Sequence, residues 1–308
     1  MLGAAIAMAL PQLTAHEALS GVFGSISLAS WIFLLVPQLI ENYKQGSAEG
    51  ISLAFLTVWF IGDVTNLIGA VWAGLVPTVI ALAIYFCFAD LILISQCVYY
   101  NLKNSRRARK ASTRSNDSVE APLLGRRDSS NIGLPGSHRR DSQASRRRRA
   151  SSLPTIADTE AGGSEWIKNA LSIVGVCVVG AAGWAIAWRT GVWAPQPANQ
   201  DEGVEIAFGA QVLGYASAIC YLGARIPQII KNQREKSCEG LSLLFFILSL
   251  LGNATYGAGI LFHSQEKEYL LTNLPWLIGS LGTMVEDITI FIQFRAFGDA
   301  EQTSAVDA

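Results

Sequence analysis

The chain has 308 residues, of which 51% are hydrophobic and 15% charged, with a formal net charge of −1 at pH 7. This composition and the positive mean hydropathy exclude an ordinary soluble domain and favour an integral membrane protein.

Seven apolar runs are long enough to cross a membrane, since a helix needs about 20 such residues to span the hydrocarbon core. In chain order they are 20–43, 50–73, 77–101, 166–189, 205–231, 240–263 and 270–297. The pattern predicts an all-α integral membrane protein with seven transmembrane helices.

Residues 102–165, between the third and fourth runs, are rich in Ser, Arg, Gly and Pro and show no apolar period. We expect a disordered basic cytosolic linker. Three serines follow paired arginines by two residues and are candidate phosphorylation sites for a kinase with an acidic groove: Ser129, Ser142 and Ser151. The stretch "EAPLL" at 120–124 resembles a signal for a sorting adaptor. The alternative role is a solvated tether that contacts anionic lipid.

Lysine and arginine lie mainly on one side of the predicted spans. That side holds the basic linker together with Lys44, Lys168, Lys231, Arg234, Lys236 and Arg295, whereas the other side holds only Arg189 and Lys267. The positive-inside rule therefore predicts a luminal N-terminus and a cytosolic C-terminus.

The sequence contains an internal repeat. "VPQLIENYKQGSAEGISLAF" at 36–55 is matched by "IPQIIKNQREKSCEGLSLLF" at 226–245, an offset of 190 residues. The third spans match at an offset of 197, which aligns Asp90 with Asp287. This arrangement predicts two parallel three-helix repeats, 20–101 and 205–297, joined by a linking helix at 166–189 and followed by a cytosolic tail at 298–308.

Two Pro-Gln motifs in matched context resemble the PQ-loop family, and within it the vacuolar and lysosomal basic amino acid transporters. "LLVPQLIENY", "EGISLAFLTVWFIGDVTNLIGA", "ARIPQIIKN" and "EGLSLLFFILSLLGNATY" carry the resemblance. It implies transport of lysine, arginine and histidine across a vacuolar or lysosomal membrane, by proton coupling or exchange. Because the family also includes cystine and sugar transporters, cystine or another small solute is the alternative substrate.

Each Pro-Gln motif is a candidate hinge, Pro37 with Gln38 in the first repeat and Pro227 with Gln228 in the second. Proline removes a backbone N–H and frees the carbonyl four residues earlier, which is that of Phe33 or Gly223. The neighbouring glutamine amide is expected to satisfy that carbonyl in an exchangeable bond. A static kink is the alternative.

Polar side chains within spans are costly and indicate function. Trp59, Asp63 and Asn66 recur at helical spacing on one face of the second span. Their counterparts on the sixth span are Ser249, Asn253 and Tyr256. We expect the substrate to bind to Asp63, Asn66, Trp59, Asn253 and Tyr256.

Asp90 and Asp287 lie about halfway along the third and seventh spans, and Arg225 is the one buried cation among these polar residues. Since the acids outnumber it, they must take up protons or attract a cation. Asp287 or Asp90 is the expected proton-coupling group, and interhelical hydrogen bonding by protonated acids is the alternative role.

No metal-ligand cluster, nucleophile constellation or phosphate-binding glycine loop occurs in the sequence. The sequence therefore predicts neither an enzyme nor a bound cofactor or metal, and no nucleic-acid partner. The expected partners are a basic amino acid, protons and membrane lipid. The internal repeat argues against a common seven-span receptor, but a sorting receptor or a nutrient-sensing scaffold on the same fold is a second hypothesis.

Overall fold

The computed structural model describes residues 13–48, 53–115, 164–194, 207–236, 238 and 243–306. The described residues form seven α-helices and no strand. The helices are α1 (Ala15–Gln45), α2 (Leu53–Trp72), α3 (Pro77–Ser115), α4 (Ser164–Arg189), α5 (Phe208–Glu235), α6 (Leu243–His263) and α7 (Lys267–Val306).

Helix α1 has well-defined ends. At its start, the Thr14 hydroxyl accepts from the backbone N–H of Glu17, and the Glu17 carboxylate accepts from the backbone N–H of Thr14. This capping box satisfies two backbone donors that the helix leaves open. At the other end, Gly46 has φ of 60°, a left-handed conformation that glycine adopts without steric cost.

Helix packing confirms the predicted parallel repeats. Helix α1 packs on α6, and its counterpart α5 packs on α2. Within each repeat the third helix packs on the first and the second, α3 on α1 and α2, and α7 on α5 and α6. Helix α4 packs on α1. The contacts are those expected for two three-helix units related by an axis along the helix bundle.

Equivalent glycines allow the repeats to approach closely. A Cβ added to Gly62 on α2 would lie 3.0 Å from the Tyr221 ring on α5. A Cβ added to Gly252 on α6 would lie 2.8 Å from the Trp31 indole nitrogen on α1. Both contacts join helices of different repeats and bring two aromatic side chains to the centre of the bundle.

Six of the seven described helices are long and apolar enough to cross a membrane, and α5 is the exception. Helix α5 nevertheless takes the place of the fifth predicted span, because it packs on α2 and α7 as the repeat counterpart of α1. Its buried residues include Ser217, Arg225, Gln228 and Asn232, which face other helices rather than lipid. The position of α5 in the bundle, and not its apolar content, identifies it as the counterpart of α1.

Helix α3 continues past the predicted start of the basic linker, to Ser115. Alanine, arginine and lysine between 102 and 115 have favourable helix propensities, which extend the preceding helix at little cost. The dileucine-like stretch and the three serines of the arginine motifs lie outside the described residues.

Candidate functional site

A central cavity lies between helices of both repeats, with about 730 Å³ of empty space including its open mouth. Seven of the residues singled out from the sequence line it: Trp59, Asp63, Asn66, Asp90, Arg225, Asn253 and Tyr256. They come from α2, α3, α5 and α6, so the expected substrate-binding residues share one site. Asp287 lies behind the lining, in contact with Arg225.

One wall of the cavity carries two acids. Asp63 and Asp90 are 3% and 2% exposed, and their side chains lie within hydrogen-bonding reach of each other. The Tyr221 hydroxyl donates to Asp63 Oδ1 at 2.6 Å. Oδ2 of each acid has no hydrogen-bond partner among the described residues. Two buried carboxyl groups with open oxygens attract a proton or a cationic ligand.

Arg225, which also lines the cavity, belongs to a closed ion pair. The Arg225 Nη1 group donates to Asp287 Oδ1, and its Nη2 group donates to the Ser249 hydroxyl at 2.9 Å. Ser249 in turn donates to Asp287 Oδ2 at 2.7 Å. Both Asp287 oxygens are therefore engaged, and the charges of the arginine and the aspartate offset each other.

The residues of the acidic pair and of the ion pair differ between the two repeats. Asp90 and Asp287 are equivalent in the repeat, but the position of Arg225 is taken by Leu35 in the first repeat. Asn253 takes the position of Asp63. The first repeat thus supplies two acids without a basic partner, whereas the second supplies a neutral pair and an amide.

The asparagines of the cavity present different groups to it. The Trp276 indole N–H donates to Asn66 Oδ1 at 2.7 Å, which leaves the Asn66 amide as a donor. The Asn253 Nδ2 group donates to the Ser249 carbonyl at 3.1 Å, which leaves Asn253 Oδ1 as an acceptor. The Trp59 indole nitrogen is buried with no partner among the described residues, so it is a further donor beside the cavity.

The Pro-Gln motifs lie beyond the cavity, toward the ends of α1 and α5. In the first repeat, Gln38 Nε2 donates to Asn42 Oδ1 at 2.9 Å, and Asn42 Nδ2 donates to Gln96 Oε1 on α3 at 3.2 Å. Gln96 Nε2 then donates to the Leu39 carbonyl at 3.1 Å. We call this Gln–Asn–Gln network the first clasp.

The second repeat makes the same network between α5 and α7, which we call the second clasp. Gln228 Nε2 donates to Asn232 Oδ1 at 2.6 Å, Asn232 Nδ2 donates to Gln293 Oε1 at 3.0 Å, and Gln293 Nε2 donates to the Ile229 carbonyl at 3.0 Å. The prediction that Gln228 satisfies the Gly223 carbonyl is wrong. Its amide reaches forward to the residue one turn along the same face, because that asparagine is in turn held by the third helix.

Sequence reasoning missed several cavity residues: Trp31, Ser217, Tyr221, Trp276, Ser280 and Thr283. Two signals in the sequence point to Tyr221. It is the repeat counterpart of Trp31, and it precedes Arg225 by four residues, which places both on one helix face.

Comparison with known proteins agrees with the repeat. The family model of the PQ loop repeat matches residues 19–79 and 209–269. A vacuolar histidine transporter of Saccharomyces cerevisiae is 36% identical over 92% of this chain and 94% of its own length. A vacuolar lysine transporter of the same yeast is 36% identical over 91% and 93%. A lysosomal amino acid transporter 1 homolog of Gallus gallus is 30% identical over 90% and 80%.

Proposed function

Because the chain belongs to the PQ-loop repeat family, we propose that it transports cationic amino acids (lysine, arginine and histidine) across a vacuolar or lysosomal membrane. The observation that carries this proposal is the Asp63–Asp90 pair. The two acids face one cavity, lie within reach of each other, and keep an open oxygen each.

Charge balance favours a cationic substrate. Two adjacent buried carboxylates cannot both remain ionised without compensation, so protons neutralise the pair when no substrate is bound. Loss of one of these protons leaves one negative charge, because Arg225 and Asp287 offset each other. A substrate with one net positive charge that replaces the lost proton keeps the cavity neutral, whereas an anionic amino acid would add to the imbalance.

Protons and substrate then compete for the pair. A lysine or arginine side chain that binds between Asp63 and Asp90 supplies the positive charge that the proton supplied before. Exchange of a proton for a cationic amino acid across the membrane is antiport. An acidic lumen favours release of the amino acid into the lumen, because protons there compete for the pair. Among the residues that the structure describes, Tyr221 on α5 and Tyr85 and Cys87 on α3 are the other titratable groups that interact electrostatically with the pair.

Of the two candidate proton-coupling residues, Asp90 is better suited than Asp287. Both Asp287 oxygens accept hydrogen bonds, from Arg225 and from Ser249. Asp90 lines the cavity and keeps an open oxygen. We therefore assign proton coupling to Asp90 and a positioning role to Asp287.

The remaining cavity residues orient the substrate. Asn253 Oδ1 is free to accept from the α-amino group, and Asn66 and Trp59 offer N–H donors. The Tyr256 ring lies on the same lining and packs against the apolar part of the substrate.

The two clasps support hinges at the Pro-Gln motifs. Each clasp ties a proline-containing helix to the third helix of its repeat, on the far side of Leu35 and Arg225 from the rest of the cavity. Side-chain amides can exchange partners without leaving a group unpaired for long. We propose that the segments beyond Pro37 and Pro227 swing as the clasps open, giving alternating access.

The membrane orientation follows from the distribution of basic side chains. The ends of α1, α3, α5 and α7 that lie beside the clasps carry exposed basic residues, among them Lys44, Arg106, Arg234 and Arg295. We place this end in the cytosol, with the N-terminus in the lumen. The basic segment between α3 and α4 is then available to a kinase, a sorting adaptor and anionic lipid.

An uptake assay in proteoliposomes tests the proposal. Labelled lysine, arginine, histidine, cystine and glucose are supplied in turn, with and without a pH gradient. Uptake of the three cationic amino acids, stimulated by an acidic interior, is the expected result. Uptake of cystine or glucose alone, or saturable binding without uptake, would contradict it.

A further inference from the structure

A cationic amino acid also brings a negative group into the cavity. Lysine carries two ammonium groups and one α-carboxylate, and a carboxylate buried without a partner is strongly disfavoured. The acidic wall formed by Asp63 and Asp90 repels that group. The site therefore needs a cationic donor at a second position.

Arg225 is the one cation among the described residues that line the cavity. It is 1% exposed, and two of its N–H groups are used by Asp287 and Ser249. A guanidinium has five N–H donors in a planar fork, so three are not used by these two partners. This fork matches the geometry of a carboxylate.

Arg225 lies one helical turn from the residue that contacts Asp63. Arg225 follows Tyr221 by one helical turn, which separates their Cβ atoms by about 5–6 Å on the same face of α5. The Tyr221 hydroxyl is bonded to Asp63. Asn253 donates to the backbone carbonyl of Ser249, the residue whose hydroxyl accepts from Arg225. Groups for the cation, the α-amino group and the α-carboxylate thus surround one space.

The repeat shows that the fold does not need a cation here. The first repeat has Leu35 at the equivalent position, also 1% exposed and also lining the cavity. An apolar side chain fills this position in one half, so packing alone does not account for the arginine in the other half. A buried arginine also brings the cost of desolvating its charge.

We propose that Arg225 binds the α-carboxylate of the transported amino acid, an inference that rests on the proposed function. Asp287 and Ser249 hold the guanidinium in place, and Asp287 balances its charge when the cavity is empty. Substrates are therefore distinguished from the corresponding diamines, which have the cationic group without the carboxylate.

Competition by analogues that lack only the carboxylate tests this inference. Cadaverine and lysine, or agmatine and arginine, compete with labelled lysine for the protein in proteoliposomes. A charge-assisted hydrogen bond to the carboxylate predicts that lysine competes about ten- to a hundredfold better than cadaverine. Equal competition by the two compounds in the wild type would overturn the proposal.

Variants assign the discrimination to Arg225. The Arg225→Gln, Asp287→Asn double variant removes both charges, so that no unpaired ion stays buried. Cadaverine should still compete with labelled lysine for this variant, but the advantage of lysine over cadaverine as a competitor should fall to about threefold or less. Arg225→Lys keeps the positive charge beside Asp287 but loses the fork, and its ratio should fall severalfold. Either variant overturns the proposal if it keeps the wild-type ratio. Arg189→Gln, a change of the same type at an exposed residue outside the cavity, is the matched control.

The same assay separates the two proposals. A wild type that takes up neither lysine nor arginine contradicts the proposed function itself. A wild type that takes up lysine and still discriminates when Arg225 is changed contradicts only the carboxylate site. If the double variant does not fold, thermal stabilisation of the Arg225→Lys variant by lysine and by cadaverine gives the ratio instead.

Discussion

The Tyr221 hydroxyl donates to Asp63 Oδ1 at 2.6 Å, and this bond joins the second repeat to the first at the wall of the cavity. It occupies one oxygen of Asp63 and leaves the other open. Tyr221 is itself the counterpart of Trp31, so the two repeats supply different groups at equivalent positions. The acid that we assign to the substrate is thus oriented by the other half of the molecule.

Tyr221→Phe removes this donor and keeps the ring that packs over Gly62. We expect a folded protein that binds lysine about three- to tenfold more weakly, since a hydrogen bond of this kind is worth about 0.5–1.5 kcal/mol. Lysine affinity of the purified variant measures the effect. Tyr215→Phe, at an exposed residue on the same helix, is the control. An unchanged affinity would show that Asp63 does not need this partner.

Asp63→Asn keeps the shape of the side chain and removes its charge. A carboxylate–cation contact in a partly dry cavity contributes about 1.5–3 kcal/mol, so lysine and arginine affinities should fall roughly ten- to a hundredfold. Glu235→Gln, an exposed acid at the end of α5, controls for net charge. If lysine affinity is retained while its pH dependence disappears, Asp63 is the proton site instead.

Asp90→Asn and Asp287→Asn form a matched pair at equivalent positions. Asp90→Asn should leave stability near that of the wild type and abolish the effect of a pH gradient on uptake. Asp287→Asn leaves Arg225 buried without its counter-ion, and breaking a buried pair costs about 3–5 kcal/mol. Thermal unfolding in detergent and uptake with and without a gradient separate the two effects. Loss of pH coupling in a stable Asp287→Asn variant would reverse our assignment.

Pro37→Leu and Pro227→Leu restore the backbone N–H that each hinge lacks. We expect folded, correctly targeted proteins with severely reduced uptake, because the helix segment beyond each proline can no longer swing freely. Asn232→Leu, which removes the central amide of the second clasp, should also reduce uptake. Uptake is compared at matched protein levels in vesicles. Normal uptake by both proline variants would make the kinks passive.

Much of this arrangement could be predicted from sequence, because repeats and helical periodicity are local patterns. The spacing of Trp59, Asp63 and Asn66 placed them on one face, and all three line the cavity. The offset of the third spans aligned Asp90 with Asp287. The spacing could not show that both oxygens of Asp287 accept hydrogen bonds while Asp90 keeps an open oxygen, because hydrogen-bond partners depend on tertiary contacts.

The clasps and α5 show the same limit. Gln96 and Gln293 are repeat counterparts at the offset of 197 residues, yet their bonds to Asn42 and Asn232 arise only when the third helix packs on the first. The apolar content of α5 is low because its polar side chains face other helices, which composition alone does not reveal.

The central claim is that a proton and a cationic amino acid compete for the Asp63–Asp90 pair. Proton release on lysine binding tests it most directly, measured by calorimetry of the purified protein in buffers of different ionisation enthalpy. If the two compete, lysine binding releases about one proton per lysine at acidic pH. By linkage, the affinity for lysine then falls about tenfold for each unit by which the pH is lowered. Asp90→Asn should release none. Lysine binding by the wild type without proton release, or with proton uptake, would contradict the account.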